Sequence, residues 1–298
     1  MRWGEMRRSE NVEDRSGMRP RGGGIGGGGM KIGLGGIVLL LIASVLFGVN
    51  PLSLLGGISG PEPARQSVPP GYGPQVGPGA APPSADPTKD MVARVLGDTE
   101  DVWNALFQAM FNKGYPKPGL VIFAGQVRSA CGLASAAVGP FYCPGDGKLY
   151  LDTAFFDQLA RRFGAPGDFA QAYVVAHEVG HHVQNVLGTM QQFDSLLQRV
   201  GPSERNPLQV RLELQADCYA GVWGHFAQKR KLLEPGDLEE GLRGAAAVGD
   251  DQIMKRTQGY VVPDAFTHGS AQQRMYWFRR GLETGDPRRC DTFTERQP

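Results

Sequence analysis

Two histidines four residues apart, in Ala176-His177-Glu178-Val179-Gly180-His181-His182, constrain this chain more than any other feature. They lie in the run GDFAQAYVVAHEVGHHVQNVLG, residues 167–188. On a helix, residues four apart stack on one face, so His177 and His181 can grip one ion while Glu178 stands beside it. This is the HExxH zinc signature: two neutral imidazoles hold Zn²⁺, and the carboxylate takes a proton from water as that water attacks a carbonyl carbon. The competing reading is two core histidines that only satisfy hydrogen bonds.

The surroundings support a helix with its own start and stop. Asp168 is placed as an N-cap with Gln171 as capping-box partner, and Gly188 as a C′ glycine. Val174, Val175, Val179, Val183 and Val186 predict a helix buried in a core. Gly180 costs roughly 1 kcal/mol of helix propensity relative to Ala. It therefore reads as space for a close neighbour or for substrate backbone.

A catalytic zinc needs a third protein ligand and an open fourth position. The segment 206–224 offers one. Asn206 and Pro207 read as a cap and first-turn pair, and Glu213 and Asp217 share the face of the helix that follows. Glu213 would complete a His-His-Glu site, and Asp217 would accept the spare N–H of a ligating histidine and fix its tautomer. Ala216, Ala220, Gly221 and Gly224 would let this helix approach the first closely. In isolation an acidic pair at this spacing reads as a solvated face, but its apolar and small neighbours count against that.

HEVGHHVQ followed by RLELQADCYAGVW resembles the bacterial family described as putative neutral zinc metallopeptidases, single-pass membrane proteins. CGLASAAVGPFYCPGDGKLYLD (131–152), THGSAQQRMYWFRRG (267–281) and CDTF (290–293) resemble it too, so the likeness runs from about 91 to 293 and leaves residues 1–30 outside. It implies a zincin-like fold, mainly α with a small sheet, zinc as cofactor and a peptide or protein substrate. The wider class with HExxH and a downstream ExxxD supports the roles given to Glu213 and Asp217. The resemblance also implies that an edge strand aligns substrate, and that His268 donates to the oxyanion formed as water adds to the carbonyl. This chain has Gly269 where one related pattern has proline, and a structural His268 capping the helix from Ser270 is the alternative. Arg274 is expected to pair with a carboxylate near the site. His182 and His225 are read as non-ligands.

The chain has 298 residues, is 41% hydrophobic and carries a net charge of +1, so no overall field favours nucleic acid. Residues 1–31 mix seven basic with four acidic side chains and a glycine-rich run, and predict a disordered cytoplasmic tail. Residues 32–49 carry no charge and would reach roughly 27 Å as a helix, enough to cross a bilayer within a transmembrane segment 32–55. Basic residues ahead of it place the N-terminus in the cytoplasm of an inner-membrane protein and the domain outside, in the periplasmic or extracellular space. A cleavable signal peptide is the competing reading. Residues 56–88 read as a Pro/Gly-rich linker and 89–298 as the metallopeptidase domain.

Within that domain, 91–113 predicts a helix, 120–123 and 147–152 strands, 155–163 a short helix and 234–254 a helix pair. Asp250 and Asp251 read as a cap and a solvated face, with a second metal site as the alternative. An outer location gives the four cysteines access to an oxidising compartment, with three possible pairings. Cys131 with Cys143 would close a Gly-rich loop, and Cys218 with Cys290 would tie the C-terminal tail to the helix of Glu213. The expected function is a membrane-anchored zinc peptidase with Glu178 as general base. The alternative is a tethered, non-catalytic binding or assembly module that keeps zinc for structure.

Overall fold

The computed structural model describes residues 1–17 and 86–295. Asp86 accepts from the backbone N–H of Thr88 at 2.9 Å, and Pro87 occupies the first turn, so helix α1 (Pro87–Phe111) starts four residues before the sequence expectation. It ends at Asn112, which takes a left-handed backbone (φ 50°) that asparagine tolerates.

The expected strands form as β2 (Gly119–Phe123) and β6 (Lys148–Asp152), which pair in parallel with Gly119 opposite Lys148. Two further strands complete this sheet. β5 (Phe141–Cys143) joins β6 antiparallel and β1 (Val12–Asp14) joins β2 in parallel, giving the order β1-β2-β6-β5. A separate hairpin, β3 (Gln126–Ser129) with β4 (Gly132–Ser135), is pinned near its turn by the disulfide Cys131–Cys143.

Seven helices follow among the described residues: α2 (Ala154–Arg161), α3 (Asp168–Val186), α4 (Thr189–Leu197), α5 (Pro202–Lys229), α6 (Asp237–Ala247), α7 (Asp250–Gln258) and α8 (Ala271–Thr284). The fold is therefore mainly helical with a small sheet. α3 is its centre, packed against α1, α5 and α6 and against β5 and β6, while α8 crosses α5 and α6. Among the described residues no helix is long and apolar enough to cross a membrane, and the expected transmembrane segment 32–55 and linker lie outside them, apart from 86–88.

Residues 1–17 depart from the expected disorder. Their mixed charges meet complementary charges on α1, 75 to 94 positions away in sequence. Arg7 pairs with Glu100 (2.7 Å) and Asp101 (2.9 Å), Arg8 with Asp90 (3.2 Å), and Asp14 with Lys89 (2.9 Å). Glu100 is fully buried, and the segment satisfies it further through Ser9 Oγ at 2.6 Å and Asn11 Nδ2 at 2.9 Å. Gly97 of α1 makes the approach possible, since a Cβ there would overlap the carbonyl of Arg7.

Close backbone approach also joins the helices that build the site. A Cβ on Gly180 would lie 2.8 Å from the carbonyl of Ala216, so α3 and α5 cross where the two are smallest. Of the two sequence readings of Gly180, this is the close neighbour. Gly221 faces α8 instead of α3: its missing Cβ would meet Phe278, and that of Gly281 would meet Cys218. Gly180→Val is expected to force α3 and α5 apart, costing about 1–3 kcal/mol of stability and at least tenfold in zinc affinity. Thermal melts and chelator competition read both; unchanged zinc affinity would contradict the crossing geometry.

Candidate metal centre and active site

The helix bearing the histidines begins one residue earlier than read. Its N-cap is Gly167 (φ 118°), and Asp168 sits in the first turn, where it meets the α-ammonium of Met1 at 2.9 Å. The capping oxygen comes from outside the helix, as Glu240 accepts from the N–H of Phe169 at 3.3 Å. Gly188 does follow the C-cap, left-handed with φ 81°. α5 starts at Pro202, so Pro207 lies inside it; Gly201 N–H donates to Glu204 at 3.1 Å, and Asn206 turns outward to the carbonyl of Asp264 at 2.9 Å.

With α3 and α5 in contact, His177, His181 and Glu213 offer ligand atoms that all lie within 4.8 Å of one another. Glu213 Oε2 is 3.2 Å from His177 Nε2 and 3.5 Å from His181 Nε2. Two donors about 2.05 Å from one tetrahedral zinc stand about 3.3 Å apart, so this borderline-soft N/N/O set fits zinc in spacing and in chemistry. The sequence expected these three together, and the structure brings them together.

Asp217 also lies where expected. Its Oδ1 is 2.8 Å from His177 Nδ1, which leaves Nε2 facing Glu213. Arg274, from α8, donates to both Asp217 oxygens (2.8 and 2.9 Å) and to the Tyr173 hydroxyl (3.1 Å). Tyr173 in turn donates to Asp217. Asp217 is 0% and Arg274 3% exposed, so this is a buried ion pair with its hydrogen bonds filled. The sequence reading of Arg274 as a carboxylate partner identifies the right residue.

Burial would lift the Asp217 carboxyl, but Arg274 and His177 outweigh it and hold it down to about 2. Burial would lower His177, yet Asp217 and Glu213 raise it to about 9. In the metal-free protein His177 thus keeps its proton through neutral pH, and a ligating imidazole must lose it. Zinc affinity is expected to rise about tenfold per pH unit from about pH 7 to 9, with about one proton released per zinc at about pH 7.5. Calorimetry in two buffers of different ionisation enthalpy counts that proton, and none released would contradict the His177–Asp217 pairing.

Glu178 is 8% exposed and borders a narrow apolar crevice formed by Val174, Val175, Leu149 and Pro140. Burial there pushes its carboxyl above the ordinary value, against the opposing charges of His177 and His181.

His268 is near enough to Glu213 for their charges to interact, and it is held by a residue the sequence misread. Asp250 is buried, not solvated: its Oδ2 accepts from the backbone N–H groups of Thr267 (2.7 Å), His268 (2.6 Å) and Gly269 (3.0 Å). Its Oδ1 is 3.3 Å from His268 Nδ1, which leaves Nε2 unengaged by Asp250. Burial opposes a charge on His268, but Glu213 and Asp250 raise its pKa. Ser270, not His268, caps α8, accepting from Gln273 N–H at 3.2 Å. Asp250 is in effect a carboxylate that supports His268, not the cap or solvated face that the sequence suggested.

The remaining singled-out residues are structural. His182 Nε2 donates to the carbonyl of Pro116 at 2.6 Å and Nδ1 accepts from Tyr142, while His225 Nδ1 donates to Leu282, so neither joins the ligand group. Cys131–Cys143 and Cys218–Cys290 are both bonded as expected.

A buried HExxH helix crossed by a helix that adds a glutamate and, four residues on, an aspartate to one of the histidines defines a zinc-peptidase type of centre. Residues 1–293 match the family model described as "putative neutral zinc metallopeptidase", and the chain belongs to that family. The match reaches Met1, so the resemblance includes the N-terminal segment that the motifs alone left out. The chain is 45% identical over 301 residues to "uncharacterized protein YpfJ" of Escherichia coli K12, covering 98% of this chain and 99% of that one. It is 43% identical over 265 residues to "uncharacterized protein Rv2575" of Mycobacterium tuberculosis H37Rv, covering 84% and 85%. No solved structure matches the chain.

Proposed function

We propose that the protein is a zinc-dependent peptidase in which His177, His181 and Glu213 hold the metal. The observation that carries this reading is the convergence of two imidazole nitrogens and one carboxylate within 4.8 Å, with Glu178 adjacent in sequence yet outside the ligand group. Zinc bound there would polarise a scissile carbonyl and bring the pKa of water from about 15.7 toward about 7. Glu178, in its low-dielectric crevice, accepts the proton of the attacking water and returns it to the leaving amine. His268, oriented by Asp250, donates from Nε2 to the oxygen that gains charge. Asp217 keeps the His177 ring in the tautomer that presents Nε2, and Arg274 keeps Asp217 ionised.

The test is cleavage of a denatured protein by the purified full chain. Hydrolysis that stops with a zinc chelator and returns with zinc is expected. One zinc per chain without cleavage of any member of a broad peptide library would sink the peptidase reading and leave the tethered module.

For location we propose an oxidising compartment, supported by the two disulfides. Residues 1–17 dock on the same body as 86–295, and a single crossing between them would place the two on opposite sides of a membrane. The cytoplasmic N-terminus of the sequence reading is not part of this proposal. A membrane-impermeant thiol reagent should label Glu10→Cys and Glu239→Cys alike from the outer side; labelling of only one contradicts it.

A further inference from the structure

His177 and His181 are oriented by different means. His177 has the carboxylate of Asp217, whereas His181 Nδ1 lies 2.9 Å from the amide oxygen of Gln184, one helical turn on. Gln184 is fully buried, and its Nε2 donates to the carbonyl of Leu212 at 2.7 Å and to Gln215 Oε1 at 3.1 Å. Gln215 Nε2 donates in turn to the carbonyl of Cys290 at 2.9 Å. A backbone carbonyl only accepts, and so each amide has one orientation open to it. Cys290 draws the Gln215 amino group outward and turns its oxygen to Gln184. That oxygen and Leu212 take both hydrogens of the Gln184 amide, whose own oxygen is left facing His181. An oxygen that only accepts requires the proton on Nδ1 and leaves the lone pair on Nε2, the nitrogen 3.5 Å from Glu213.

We propose that Gln184 and Gln215 form an amide relay that fixes the tautomer and ring orientation of His181, with the Cys290 carbonyl as its fixed end. That end is itself anchored. Cys290 is bonded to Cys218 of α5, and beyond it Arg211 donates to the carbonyls of Thr292 (2.8 Å) and Phe293 (2.6 Å) while Thr292 Oγ1 returns a bond to the Arg211 carbonyl (2.5 Å). The disulfide and tail, remote from the ligand atoms, thereby set the polarity of a ligand. Gln184 and Gln215 are positioning residues. The relay rests on the assignment of His177, His181 and Glu213 as the metal site, but not on catalysis.

Zinc affinity, read by competition with a chromogenic chelator, tests it in the full chain. Gln184→Met, similar in size but without the acceptor, is expected to bind zinc about 10–100-fold more weakly. Gln184→Glu, buried and so held as the neutral acid, keeps a carbonyl oxygen for Nδ1–H and an O–H for the Leu212 carbonyl, and should stay within about threefold of the unsubstituted chain. Equal losses in the two variants, or no loss in Gln184→Met, would overturn the relay, because a space-filling role does not distinguish acceptor from thioether. Should Gln184→Met fail to fold, the ¹⁵N imidazole spectrum of the unsubstituted metal-free protein at alkaline pH, where the ring is neutral, decides: a proton on His181 Nδ1 supports the relay and a proton on Nε2 overturns it. An unsubstituted chain that binds no zinc overturns the metal-site assignment itself, a failure distinct from the other two.

Discussion

Glu178→Gln is expected to keep its zinc and to lose about 10²–10⁴-fold in peptide-bond hydrolysis. The substitution preserves volume and hydrogen-bonding reach but removes the basic oxygen, and proton transfer by a positioned side chain contributes on that scale. Glu178 lies outside the group that converges on Glu213, so metal content should not follow activity down. Metal analysis and single-turnover cleavage of a labelled peptide, run on the same preparations, separate the two. Undiminished activity in the Glu178→Gln protein would show that the proton goes elsewhere.

Asp217→Ala is expected to be the most damaging single change to stability. It strips the partner from the Arg274 guanidinium, which is 3% exposed, and breaking a buried pair from one side costs about 3–5 kcal/mol. At about 2–4 °C per kcal/mol for a domain of this size, the melting temperature should drop by roughly 10 °C. Zinc should bind about 10–100-fold more weakly, because the His177 ring loses the group that fixes its tautomer. Pairing Asp217→Leu with Arg274→Met removes the stranded charge and is expected to recover stability without recovering zinc affinity. If both recovered together, Asp217 would be a packing residue only.

Asp217 and His177 together carry a pH signature. The Asp217 pKa is depressed from 3.8 to about 2 in the fold, so its contribution is present above pH 3.8 and is lost as pH falls through about 2. The His177 pKa is raised from 6.5 to about 9 in the metal-free fold, so its contribution is present below pH 6.5 and is lost as pH rises through about 9. Metal-free stability should therefore decline on both flanks, whereas zinc held through a neutral His177 would oppose the alkaline decline.

What the sequence revealed and what it hid follow from the range of the interactions. The grouping of His177, His181 and Glu213 was legible because each helix carries its pattern locally: four-residue spacing put His177 above His181 and Glu213 above Asp217, and small residues marked the crossing. The N-terminal strand was not legible. Its charges look like those of a solvated tail until Glu100 and Asp101 of α1 are placed beside Arg7, and no local period encodes that pairing. Asp250 was misjudged for the same reason, since the three N–H groups that desolvate it come from 267–269. Pro207 misled in another way, as a start signal that a stronger Gly-Pro start five residues upstream overrides. Gln184 was the overlooked clue: an amide one turn past a ligating histidine, on a helix whose other faces are apolar, has to be hydrogen-bonded to something.

The most direct measurement of the central claim is zinc-edge X-ray absorption on the purified chain together with its zinc stoichiometry. The account requires one zinc per chain, two imidazole nitrogens and carboxylate and solvent oxygens at about 2.0–2.2 Å, and loss of the metal in Glu213→Ala. A sulfur shell at about 2.3 Å, a site closed by four protein ligands, or a Glu213→Ala protein that keeps its zinc in an unchanged spectrum would contradict it.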